Sequence, residues 1–205
     1  QQMPVARLPG PTGLPAKCRC TKVFSADCTS HEVFSRAMTC TLILTRHAKS
    51  AWDTNAPSDH ARPLNKRGRK SAEALGQWLR QGGHLPDQVI SSPSQRTRET
   101  YERMELDAPA LFNERLYLAT SKIIFKVLKE AEHPRTMILC HNPGIGAFAH
   151  SMAARPPHHP RFDDYPTGAT LILDFDIGSW SKLTWGSGKV VDFVVPRELL
   201  TLEAA

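Results

Sequence analysis

Leu42-Ile43-Leu44 is a short apolar run that stops abruptly at Thr45-Arg46-His47-Ala48-Lys49-Ser50. Its length and composition predict a buried strand over 41–45. Pro63-Leu64-Asn65 opens a helical stretch to about Gln81, with Ala72, Leu75, Trp78 and Leu79 on one face and Gly82-Gly83 as the stop. A second short strand follows at 88–91, a helix at 94–105 and a third strand at 110–113. Ile123, Ile124, Val127 and Leu128 have core spacing in a helix over 121–131. A buried strand at 136–140 leads through Asn142-Pro143-Gly144 into a helix ending near Ala153, and late strands are expected at 170–175 and 190–195. Strands separated by helices of this length imply a mostly parallel sheet with helices on both faces, a single three-layer α/β/α domain.

The first stretch breaks this pattern. Residues 1–39 hold Pro4, Pro9, Pro11 and Pro15, and five basic residues against two acidic ones, without apolar periodicity. They are expected to be a disordered leader or a non-native extension, with the folded domain at 40–205. A basic, acid-poor leader also fits a transit peptide, which would place the protein in an organelle; otherwise the expected location is cytoplasmic. Cys18, Cys20, Cys28 and Cys40 crowd the beginning, and only Cys140 lies in the main body. That odd count does not make a disulfide framework and favours a reducing compartment. Cys18, Cys20, Cys28 and His31 match no common zinc spacing, so no metal is expected. No apolar run approaches the ~20 residues that span a bilayer, so no membrane role is expected. The net charge of +6 fits a mildly basic surface or an anionic substrate. The basic cluster Lys66-Arg67-Gly68-Arg69-Lys70 reads as a solvated helix start rather than a nucleic-acid footprint.

Ligands of open α/β sheets bind beyond the carboxyl ends of the strands. Three strand ends carry unusual residues here: Arg46-His47, then Ser91-Ser92-Pro93 with Arg96, then His141-Asn142. Parallel strands would bring all three to one edge. Two arginines and two histidines converging there suit a phosphoryl group, because the guanidinium fork matches phosphate oxygens. A neutral histidine can attack phosphorus, and a protonated one can hold the equatorial oxygens.

With Arg46-His47, Ser92-x-x-x-Arg96 and His141-Asn142 in this order, the chain resembles the histidine phosphatase superfamily, which includes the cofactor-dependent phosphoglycerate mutases. Within it the sequence is most similar to the SixA-type phosphohistidine phosphatases, through the segments at 46–53, 59–68, 91–100, 141–144 and 166–169. The resemblance implies a phosphoglycerate mutase-like fold and a metal-independent phosphatase without cofactor. It implies that His47 is the nucleophile and forms a phosphohistidine intermediate, and that Arg46, Arg96 and His141 form the phosphate pocket. It also implies that Glu114 is the proton-donating acid of mutase-like members. Three positions depart from the wider family: Ala48 for glycine, Asp53 for a phosphate-binding asparagine, and Leu118 for the glycine after the tyrosine. The expected partner is a phosphohistidine protein or a phosphorylated small molecule, and the expected state is a monomer. A small-molecule phosphomonoesterase or mutase, and a non-catalytic phospho-ligand binding module, are the alternatives. His158-His159, in a proline-rich stretch, is expected in a loop over the site entrance.

Overall fold

The central strand of the fold is β1 (Cys40–Arg46), in a sheet whose strand order is β3-β2-β4-β1-β5-β6. The computed structural model describes residues 39–52 and 55–202, so the leader, the zinc reading of its cysteines and Asp53 lie outside the described residues. β2 (Gln88–Ser91), β3 (Ala110–Phe112) and β4 (Arg135–Cys140) follow, and the pairs β1–β4, β2–β4 and β2–β3 are all parallel. β5 (Thr170–Phe175) runs antiparallel to β1 and to β6 (Lys189–Val194). The sheet is therefore mostly parallel, as the alternation of elements predicts.

Helices α1 (Lys66–Gln81), α2 (Gln95–Met104) and α5 (Pro196–Leu202) form one layer, with α1 packed on both others. Helices α3 (Ser121–Lys129) and α4 (Gly144–Met152) pack together in the other. β1 is apolar at consecutive positions because both of its faces are covered. Leu42 and Leu44 enter the core shared with Ile124, Val127 and Phe148. Ile43 enters the core shared with Leu75, Leu79 and Met137. Among the described residues, no helix is long and apolar enough to cross a membrane.

Two glycines tie loops to the carboxyl end of β1. The backbone of Gly68 in α1 lies so close to Lys49 that an added Cβ would sit 2.1 Å from the Lys49 carbonyl oxygen. Gly168 has a φ of 79°, in the left-handed region open to glycine, and its N–H reaches the carbonyls of Arg46 (3.2 Å) and His47 (3.0 Å). The chain thus arrives at the same edge where β1 ends and starts β5 there. This is why β5 runs back antiparallel and why residues 166–169 reach the site.

Candidate active site

The edge defined by the ends of β1, β2 and β4 holds a pocket of ≈330 Å³ lined by Arg46, His47, Lys49, Ser50, Trp52, Asp59, Arg62, Arg96, Leu118, His141, Asn142 and Thr167. Strand order β2-β4-β1 makes the three carboxyl ends neighbours. A larger hollow of ≈670 Å³ on the α1, α2 and α5 layer is lined by mixed charges, of which Arg103 pairs with Glu73 at 3.1 Å. It gathers none of the strand-end residues.

His47 is buried at the end of β1, and its backbone N–H continues the ladder to the carbonyl of Cys140. Its Nδ1 lies 2.7 Å from the carbonyl oxygen of Ala48. A carbonyl can only accept, so Nδ1 carries the proton and Nε2 keeps its lone pair. Ala48 is held in turn from α2, its N–H donating to Thr100 Oγ1 at 3.0 Å. Burial pushes the His47 imidazole down to about 3, and the charges of Arg96, Arg46 and Arg62 act in the same direction against the opposing bond to Ala48. His47 is therefore neutral at physiological pH.

His141, at the end of β4, sits beside His47 with ring centroids 5.1 Å apart. Its Nε2 lies 2.8 Å from the hydroxyl of Ser92, which is fully buried at the end of β2, and its buried Nδ1 has no partner among the described residues. Burial, then the nearby His47 and Arg96, push its imidazole down to about 2. The sequence reading expected this second histidine to be protonated. It is neutral, because burial together with His47, Arg96 and Arg46 outweighs the opposing charge of Asp59. A neutral ring that accepts from Ser92 at Nε2 still offers an N–H at Nδ1.

Arg96 is 2% exposed. Its Nη1 donates to the Asp59 carbonyl at 2.6 Å and its Nη2 to Asp59 Oδ2 at 3.0 Å. Asp59 also pairs with Arg62 at 3.2 Å and accepts from the Tyr117 hydroxyl at 2.8 Å. Burial raises the Asp59 carboxyl, but Tyr117, Arg96 and Arg62 outweigh it and hold the carboxyl below its ordinary value. The guanidinium carbon of Arg62 lies over the Trp52 ring, 3.7 Å from its centroid. Arg46 donates through Nη1 to the carbonyl of Tyr165 at 2.9 Å, while its buried Nε has no partner among the described residues.

The four strand-end residues named from sequence are thus brought together. Glu114 is not among the residues that line the pocket. It begins the 3₁₀ turn Glu114–Leu116, is exposed, and its carboxylate makes no hydrogen bond or ion pair among the described residues; the neighbouring Arg115 pairs with Glu130 instead. Leu118, where the wider family has glycine, adopts a φ of 50° and lines the pocket while 55% exposed. His158 and His159 do not line it, and His159 Nε2 lies 2.8 Å from Glu198 of α5. The sequence reading missed Asp59, Arg62, Ser92 and Tyr117 as site residues. The Asp-x-x-Arg spacing of 59–62 was the available signal for the first two.

The family model described as histidine phosphatase superfamily (branch 1) matches residues 42–117. An uncharacterized protein of Mycobacterium leprae (strain TN) is 32% identical over 161 residues, covering 74% of this chain and 99% of that protein. Among solved structures, the protein of Nakamurella multipartitia assigned as the phosphohistidine phosphatase SixA is 27% identical. It superposes with a TM-score of 0.65 over 77% of this chain and 96% of its own. The corresponding SixA assignment from Agrobacterium tumefaciens, 23% identical, shares the fold with a TM-score of 0.63 over 77% of this chain and 98% of that one. The chain belongs to the histidine phosphatase superfamily, in its SixA-type branch.

Proposed function

We propose that the protein is a phosphatase that works without a metal, through a phosphohistidine intermediate on His47, and hydrolyses protein phosphohistidine or a small phosphorylated compound. The observation that carries this reading is the bond from His47 Nδ1–H to the Ala48 carbonyl, which leaves a neutral Nε2 lone pair in a pocket lined by three arginines. In the proposed reaction Nε2 attacks phosphorus in line, the N–P bond forms, and the bond to the leaving group breaks. Arg46, Arg96 and the Nδ1–H of His141 hold the non-bridging oxygens as charge spreads over them. Water then attacks the phosphohistidine, releasing phosphate and restoring the imidazole. In this reading the three arginines that line the pocket supply the charge stabilisation.

Phosphoramidates such as phosphohistidine, and aryl phosphates, are the favoured substrates. The carboxylate that lines the pocket, Asp59, is held ionised by its arginine partners and is not a proton donor. Leaving groups that depart without a strong acid suit such a site. Alkyl monoesters are the second reading, with Glu114 as the candidate donor. A purely binding role is disfavoured, since phosphate recognition has no use for a bare, oriented imidazole nitrogen.

The test is a substrate panel of phosphohistidine peptides, phosphoramidate, 4-nitrophenyl phosphate and alkyl phosphates, with wild type and His47→Asn. Wild type is expected to turn over the first three and to carry an acid-labile phosphoryl group on His47. His47→Asn is expected to be inactive with an unchanged circular dichroism spectrum. Wild-type rates in that variant would sink the assignment.

A further inference from the structure

A second hollow of ≈460 Å³ lies directly beside the pocket, and Arg46, Lys49 and Thr167 line both. Its cations come from distant parts of the chain: Arg46 and Lys49 from the end of β1, Arg67 from α1, Arg161 from the stretch after α4, and Arg197 from α5. Asp164 is the single carboxylate in the lining, and Arg161 already holds it with Nη2 2.7 Å from Oδ2. The side chains of Lys49, Arg67 and Arg197 make no hydrogen bond or ion pair among the described residues. Other exposed cations are paired, among them Arg103 with Glu73, Arg115 with Glu130 and Lys189 with Asp176, whereas Lys122 and Lys126 of α3 make no ion pair among the described residues, but those do not share this concavity with three further cations. Lys49, Arg67 and Arg197 converge without an ion partner among the described residues on a concavity where the single carboxylate, Asp164, already acts on Arg161 and Arg46; these cations repel each other, and an anion seated among them removes that repulsion.

We propose that this hollow binds a second anionic group, a phosphate or a carboxylate, on the same substrate whose phosphoryl group sits at His47. The proposal rests on the phosphatase reading above and names the substrate class within it. Arg46 joins the two sites, so both anions share one guanidinium. The second anion can come from a small molecule carrying two acidic groups, or from acidic side chains flanking a phosphohistidine.

The test measures kcat/KM on matched pairs. One arm compares a carboxylated aryl phosphate with its uncharged analogue. The other compares phosphohistidine peptides with acidic and with glutamine flanks. 4-Nitrophenyl phosphate is the one-anion reference. Wild type is expected to favour the doubly anionic member by about tenfold or more in one arm, which identifies the source of the anion. R67E/R197E, changed at exposed positions outside the phosphoryl pocket, should lose the preference while 4-nitrophenyl phosphate stays within about twofold of wild type. K122E/K126E makes the same change of net charge on α3, in the opposite layer, and should keep the preference. Turnover of 4-nitrophenyl phosphate with no preference in either arm, or a preference that survives R67E/R197E, overturns the proposal. Calorimetric titration with inorganic phosphate reads the hollow without turnover, so failure of the phosphatase reading leaves this arm intact. Two sites are expected in wild type and one in R67E/R197E; a single site in both overturns the proposal.

Discussion

Acid should weaken this fold well above the pH at which its carboxylates titrate, and the cause should be His47 and His141. Both are buried and neutral, with imidazoles pushed from 6.5 down to about 3 and about 2. In the unfolded chain each returns to its ordinary value and binds a proton as the pH falls through 6.5, while the folded state binds none until near 3. The unfolded state therefore holds more protons, so stability is greatest above 6.5 and falls as pH is lowered. Between pH 7 and pH 5.5 each histidine should cost about 1.2 kcal/mol, and the pair about 2.5 kcal/mol. This window is insensitive to the folded values, which lie far below it. It also lies above the range in which Asp59, Asp164 and Glu130, held low by their partners, would lose their stabilisation. The assay is urea unfolding followed by tryptophan fluorescence at pH 7.0, 6.25 and 5.5, for wild type, His47→Asn, His141→Asn and the double variant. Each single variant should lose about half of the excess pH dependence, and the double variant nearly all of it, at an unchanged m-value. Subtracting variant from wild type cancels every other titrating group. A double variant as acid-sensitive as wild type would refute the claim that these imidazoles are buried neutral.

Glu114→Gln tests the acid by leaving group: if Glu114 donates a proton, kcat/KM should fall by about 10²-fold on alkyl phosphates and stay unchanged on 4-nitrophenyl phosphate and phosphohistidine. Equal slowing on all of them would mean that Glu114 supports the site without donating. Gly68→Ala forces a Cβ against the Lys49 carbonyl; chemical denaturation should report a loss of about 1–3 kcal/mol. Because that carbonyl belongs to the loop after His47, kcat/KM should fall as well, and an unaffected variant would show that the loop has room to move.

Much of the fold was legible along the chain. The apolar run at 42–44 marked a strand covered on both faces, and the period of Leu75 and Leu79 marked the buried side of α1. The ends of β1, β2 and β4 named Arg46, His47, Arg96 and His141, because parallel neighbouring strands put their carboxyl ends side by side. Periodicity says which face of an element is buried and where the element stops; it does not say what is packed against it. The antiparallel course of β5 was therefore hidden, since it depends on Gly168 meeting the carbonyls of Arg46 and His47. So was the Asp59 bridge to Arg96, Arg62 and Tyr117, whose partners lie up to 58 positions apart in sequence. The protonation of the second histidine, His141, was misread for the same reason. A side chain's charge state sums burial and every neighbouring charge, and those neighbours are assembled by packing. The sequence alone determined the layered α/β order and which residues stand at the strand ends. The tertiary structure alone decided that both imidazoles are neutral, that Ser92 orients one and Ala48 the other, and that Arg46, Arg67, Arg161 and Arg197 border one hollow.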